Sequence, residues 1–178
     1  MESVVAEGPP DMQPEPGKEP VHSLLPFQRS LLQEQLQEDG LTVLASGLGL
    51  VQAAAALLRL QAAARASAPT GDGGVLLIVG GQPWQRDALC RLLACADPGA
   101  PPPAEVTAEV PATERGSLYR SAACLFVTTR ILVVDLLSGR LQPTEVVGLL
   151  VLNAHRWVGK NGGGWARLLQ AGLTYTPF

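Results

Sequence analysis

The sequence holds three cysteines, Cys90, Cys95 and Cys124, with no CxxC pair among them. That excludes a disulfide framework and points to a reducing compartment, with the thiols as small core residues. The two histidines, His22 and His155, lie too far apart to complete a zinc set. No basic stretch followed by an apolar core opens the sequence, so a secretory signal is not expected. No run reaches the eighteen or so apolar residues that a membrane span needs. An excess of charge of one sign is lacking as well. The net charge of −3 is uneven: residues 1–22, where five acids face Lys18 alone, carry −4, and the remainder sums to +1. Overall charge therefore neither demands nor excludes nucleic acid, and only a local patch can speak for it. Lysine is missing from the whole span between Lys18 and Lys160. Eleven of the thirteen bases are arginine, which suits bidentate phosphate contacts but also accompanies GC-rich coding.

What is present is enough for one folded domain. The chain has 178 residues, 47% of them hydrophobic, and can bury a core. Residues 1–22, rich in proline, glutamate and glycine, read as a disordered leader. Pro26 opens a helix with Phe27, Leu31, Leu32 and Leu36 on one face, and Asp39-Gly40 stops it. Leu41–Ala45 reads as a first buried strand, Ser46-Gly47-Leu48-Gly49 as a turn, and Leu50 to Ala66 as a long helix. Strand, glycine turn and helix are the setting of a phosphate-binding loop. That chemistry needs a lysine on the β- and γ-phosphates and a hydroxyl on magnesium. Ser46, Gly47 and Gly49 are thus a degenerate phosphate loop, and ATP hydrolysis is not expected. A dinucleotide loop fits less well still, because Gly47-x-Gly49 runs on to Gln52 and Val79 is followed by Gly80 where an acid is required.

Val75–Val79 is a second buried strand, and Gly80-Gly81-Gln82-Pro83 leads into a helix through Ala96 with Leu89, Leu92 and Leu93 inward. A proline-rich loop, Asp97–Pro103, precedes a short strand over Glu105–Val110 and a short helix over Glu114–Arg120. Ala123–Thr128 is a core strand. Ile131–Val134 has strand propensity, but it follows a strand tip directly and runs to Gly139, which predicts a helix packed on the sheet. Pro143–Glu145 restarts the chain into the strand Val146–Leu152, which ends in Asn153-Ala154-His155-Arg156. Two apolar strands with polar, basic tips describe a parallel α/β sheet, and in such sheets ligands sit outside the carboxyl ends of the strands. Residues 157–178 form an irregular, glycine-containing tail without periodicity.

The stretch from Thr128-Thr129-Arg130 through Asp135-Leu136 to Asn153-Ala154-His155-Arg156 resembles the first RecA-like domain of superfamily-two helicases. There a strand ending in threonine leads to an Asp-Leu pair, and a later strand ends in Asp-Glu-Ala-His. The two acidic positions fall here on Leu152 and Asn153, which can neither hold magnesium nor orient an attacking water. The motifs LLPFQRSLLQEQL, DGLTVLASGLG, FVTTRILVVDLLSGRL and VGLLVLNAHR, in order over Leu24–Arg156, are similar to the amino-terminal region of the XPF family of structure-specific DNA repair endonucleases.

The resemblance implies a nuclear, catalytically silent, partial RecA-type domain over 23–156 that engages branched or single-stranded DNA and repair scaffold proteins. The family cleaves through an ERK-x-x-x-D nuclease domain, where its magnesium belongs, followed by helix–hairpin–helix elements. Neither motif occurs here, and the glycine run after Arg156 replaces the expected continuation of the sheet. The resemblance therefore implies an incomplete or alternatively spliced product that needs no cofactor and is not expected to pair with the smaller non-catalytic subunit, since that pairing uses the missing region. Thr128, Thr129, Arg130, His155 and Arg156 are the DNA-contact candidates that the resemblance marks. Each has a structural alternative: a helix cap for the threonines, a solvated arginine, a satisfied histidine. Asp135 reads as a helix-end or packing-layer residue, and Trp84, Trp157 and Trp165 as packing residues or base-stacking platforms. A module that binds only protein is the alternative function.

Overall fold

Val75–Val79 (β1) is buried at every residue, and the rest of the fold is laid on either side of it. The structure, a computed structural model, describes residues 24–38, 40, 42–67 and 73–154. Around β1 run α1 (Pro26–Gln37), α2 (Leu50–Ser67), α3 (Pro83–Ala96), β2 (Ala104–Val106), α4 (Ala112–Ser121), β3 (Cys124–Val127), α5 (Thr129–Leu137) and β4 (Val146–Val151). The four strands form one parallel sheet in the order β2-β3-β1-β4. A parallel sheet must be covered on both faces, and the alternation along β1 does this. Val75, Leu77 and Val79 pack with Leu132 and Leu136 of α5 and Tyr119 of α4. Leu76 and Ile78 pack with Ala54, Ala55 and Leu58 of α2 and Leu89 of α3.

The expected α/β architecture, with its parallel sheet and flanking helices, is what the chain adopts. The span 131–137 resolves as the helix, against its strand propensity. Burial falls on Ile131, Leu132, Asp135 and Leu136, a period of 3.6 and not 2, and Gly139 at φ 70° ends the run in a conformation that favours glycine.

Three expectations are corrected. Residues 42–45, the described part of the anticipated first strand, have no strand pairing, and Val43 is 83% exposed. A strand exists only through its ladder, and none of the described strands pairs with this segment. On α1 the inward residues are Gln28 and Leu32, whereas Phe27 and Leu36 face solvent. Gln28 turns inward because its Oε1 accepts from the Leu25 amide at 3.0 Å, and Leu32 packs on Ala56 of α2. Finally, β2 covers only Ala104–Val106, because Thr107–Val110 is a turn in which the Val110 amide meets the Thr107 carbonyl at 3.2 Å and the Glu109 amide meets Thr107 Oγ1 at 3.3 Å.

Cys90 and Cys124 pack in the α2–α3 layer as expected, while Cys95 is exposed. Burial, and then the neighbouring Cys90, pushes the Cys124 thiol up to about 11 from 9.0. Because this pKa is raised on folding, the unfolded chain loses its thiol proton first as pH rises. The contribution is intact below about pH 9 and lost progressively toward pH 11. We expect the unfolding free energy to fall by about 2 kcal/mol from this group between neutrality and roughly pH 10.5. Urea titration of the parent and of Cys124→Ala at both pH values checks it: equal alkaline losses in the two proteins contradict the assignment.

Candidate nucleic-acid interface

The register brings the strand tips to one edge. Ile78 lies opposite Phe126, Val79 opposite Val151, and Val106 opposite Val127. One position further on, Gly80, Thr107, Thr128 and Leu152 therefore share the carboxyl edge of the sheet, where α/β proteins place their ligands.

At the tip of β3, Thr128 is the N-cap of α5, its Oγ1 accepting from the Ile131 amide at 3.5 Å. The structural role considered for it is therefore filled, yet Thr128 stays exposed and Thr129 half-buried. Arg130, in the first turn, is exposed and joins no ion pair among the described residues. A hydroxyl, helix-start amides and a guanidinium within three residues form a group suited to phosphate oxygens. His155 and Arg156, like Trp157 and Trp165, lie outside the described residues.

The tip of β4 is closed by a polar knot that periodicity does not reveal. Asn153 takes φ 56°, and its Nδ2 donates to the Gly80 carbonyl at 3.0 Å and to Gln85 Oε1 at 2.6 Å. Gln85 is buried; its Oε1 also accepts from the Gln82 amide at 2.9 Å. The sequence does carry a signal for this glutamine. Leu25-Pro-Phe-Gln28, Gln82-Pro-Trp-Gln85 and Gln142-Pro-Thr-Glu145 all place proline at the first helical position and an acceptor at the third. In each the side chain caps the amide that precedes the proline.

The degenerate loop is the turn expected of it, with Gly47 at φ 87° and Gly49 at φ 78°. The cation that such a loop requires has no counterpart in it. Instead, Gln28 Nε2 donates to the Leu48 carbonyl at 3.0 Å, and a Cβ on Gly49 would lie 2.2 Å from that nitrogen. The glutamine amide thus abuts the loop from the α1 side. A pocket of about 490 Å³ opens beside it, bordered by Ser46, Gly47, Gly49, Trp84, Arg91 and Cys95. Trp84 is 61% exposed there and does not pack into the core.

Asp135 is fully buried and takes no part in this edge. It accepts from Tyr119 Oη at 2.9 Å and from Arg115 and Arg140 at 3.3 Å each. It is the packing residue that the sequence suggests. Among the described residues no group of three or more His, Cys, Asp or Glu side chains could hold a metal ion.

A parallel sheet sandwiched between helices, with a glycine turn ahead of α2 and polar tips on one edge, is the architecture of a helicase-type domain. The helicase domain of Hef from Pyrococcus furiosus superposes on it with a TM-score of 0.62 at 19% identity, covering 85% of this chain and 33% of that one. By sequence the chain is a relative of the XPF family. It is 33% identical over 133 residues to the DNA repair endonuclease UVH1 of Arabidopsis thaliana, 32% identical over 133 residues to the DNA repair endonuclease XPF of Mus musculus, and 35% identical over 156 residues to the DNA repair protein RAD1 of Saccharomyces cerevisiae. These matches cover 73–75% of this chain but only 13–14% of those proteins. No protein-family model matches the chain.

Proposed function

We propose that this chain acts in DNA repair as a module that holds branched or single-stranded DNA without hydrolysing nucleotide. The observation that carries the reading is the pairing of a tip at Thr128-Thr129-Arg130, exposed at Thr128 and Arg130, with a phosphate loop that has a glutamine amide against it and no lysine within it. The first offers donors to a phosphate backbone; the second lacks the charge that would hold a β- or γ-phosphate. Relatives named for DNA repair support the process. On this reading the module needs no cofactor, works in the nucleus beside other repair proteins, and leaves strand cleavage to a metal-dependent nuclease domain that lies outside this sequence. His155 and Arg156 follow the β4 tip directly in the sequence and are the further candidates for contact with DNA. The smaller subunit of the endonuclease is not among its partners by this segment.

A mobility-shift titration with forked DNA and with blunt duplex, across a salt series, tests this. Arg130→Ala is expected to weaken fork binding several-fold and to reduce the slope of log K against log salt by about 1, the signature of one lost phosphate contact. Arg156→Ala is expected to do the same. Unchanged binding in both variants removes DNA from these tips and leaves a module that binds protein. Calorimetry with ATP addresses the other half, and binding in the micromolar range contradicts the dead loop.

A further inference from the structure

The bulkiest side chain left exposed among the described residues is that of Trp84. Its neighbour sets its direction. Gln85 accepts from the Gln82 amide at 2.9 Å and from Asn153 Nδ2 at 2.6 Å, which turns it inward. Trp84 precedes it by one residue, about 100° around the helix, and so points away from the core. It lines a concave wall all the same. Trp84, Arg91 and Cys95, at i, i+7 and i+11, lie on one stripe of α3 and border the pocket of about 490 Å³ together with Ser46, Gly47 and Gln52. Arg91 is exposed and joins no ion pair among the described residues, and no acidic side chain borders the pocket. An aromatic face, one cation and the neutral polar groups of Ser46 and Gln52, in a cavity of this size, suit a flat ring with polar edges that carries negative charge.

We propose that this pocket receives one unpaired base of a DNA strand, stacked on the Trp84 indole, with Arg91 on an adjoining phosphate. Such a site rests on the reading that the chain holds DNA, and adds a place for a base to a tip, Thr128–Arg130, that offers groups for phosphate alone. Two observations select a strand over a free nucleotide. The Ser46–Gly49 loop has no lysine to hold a β- or γ-phosphate. Second, α3 begins at Pro83, just past β1, and β1 lies beside β3 in the sheet, so Trp84 and the Thr128–Arg130 tip follow neighbouring strand ends. A strand gripped at the tip brings its base to the indole as a tethered group, at an effective concentration that a free nucleotide lacks. Duplex DNA is disfavoured, because a paired base must first be taken out of its stack.

Fluorescence anisotropy at fixed salt, on the full chain, compares a single-stranded oligothymidine with an abasic sugar-phosphate strand of the same length. Trp84→Ala should weaken binding of the oligothymidine about 5- to 100-fold, the range for one lost stacking contact, and leave the abasic strand unchanged. Trp84→Phe, which keeps a smaller ring, should fall between the parent and the alanine variant. Cys95 supplies a local readout, being an exposed thiol on the pocket wall. Its alkylation, located by mass spectrometry, should slow when oligothymidine is bound and not when the abasic strand is. Equal losses on both strands, or none on either, overturn the base site and leave DNA holding at the Thr128–Arg130 tip intact. So does alkylation of Cys95 that bound oligothymidine does not slow. Failure of the parent to bind either strand removes that reading and the base site with it. Thymidine monophosphate that protects Cys95 at micromolar concentration overturns the choice of a strand and marks a nucleotide site instead.

Discussion

Replacing Asp135 by alanine is expected to lower the unfolding free energy by about 3–5 kcal/mol, the cost of breaking a buried ionic cluster from one side. The carboxylate has no solvent exposure, and three groups converge on it: Tyr119 Oη at 2.9 Å and the Arg115 and Arg140 guanidinium groups at 3.3 Å. Arg115 is itself largely buried, with its side chain 13% exposed, and its Nε also donates to the Val110 carbonyl at 2.9 Å. Alanine would leave Arg115 Nη1 and the tyrosine hydroxyl without the acceptor they share, and the Arg115 charge without its counter-ion. Burial first, and then the hydrogen bond to Asp135, hold the Tyr119 hydroxyl well above the usual tyrosine range. It therefore remains a donor wherever the fold persists. Tyr119→Phe removes one donor and leaves the ion pairs in place, so it should cost only about 1–2 kcal/mol. Asp135→Asn keeps the shape but not the charge and should fall between the two. Urea unfolding of the three variants measures the order. An alanine variant within about 1 kcal/mol of the parent would mean that the cluster contributes packing and no more.

The same cluster shows how far a sequence reading reaches. Asp135 is identifiable as a packing residue because it falls at i+4 from Ile131, on the face that α5 turns to the sheet. Its partners lie in another helix and in the following loop, and no local pattern pairs Arg115 or Tyr119 with it. Strands β1, β3 and β4 are legible from their apolar runs, since a strand buried on both faces must be apolar throughout. The same rule misleads at residues 42–45, because composition registers a capacity to pair and carries no information on whether a neighbour is there to pair with. On α1, hydrophobicity ranks Phe27 above Gln28, whereas the hydrogen bonds to Leu25 and Leu48 turn the glutamine inward. The tip at Thr128–Arg130 is legible from its position after β3. The knot of Asn153 with Gln85 is not, since those residues are far apart in sequence and meet only through the β1–β4 pairing.

That knot yields the second large effect. Asn153 stands at the second of the two acidic positions of the helicase pattern, so Asn153→Asp returns a carboxylate to that position by exchanging a single side-chain group. The expected result is a loss of about 2–3 kcal/mol in stability and no gain of ATP turnover. The amide nitrogen makes the two shorter bonds, donating to the Gly80 carbonyl and Gln85 Oε1, while the Asn153 Oδ1 accepts from Gln85 Nε2 at 3.4 Å, a bond that a carboxylate would keep. A carboxylate would present an oxygen to both acceptors. Gln85 cannot relieve this by turning its amide over, because its Oε1 also accepts from the Gln82 amide. Backbone strain is not the cause, since aspartate tolerates the left-handed conformation nearly as well as asparagine. The penalty should therefore shrink as pH falls toward about 4, where the introduced acid takes up a proton and can donate once more. Turnover stays absent because the Ser46–Gly49 loop still has no lysine with which to hold the phosphates. A variant as stable as the parent at neutral pH would show that the Asn153 amide is dispensable, and that the tip of β4 could readmit the acid it lacks.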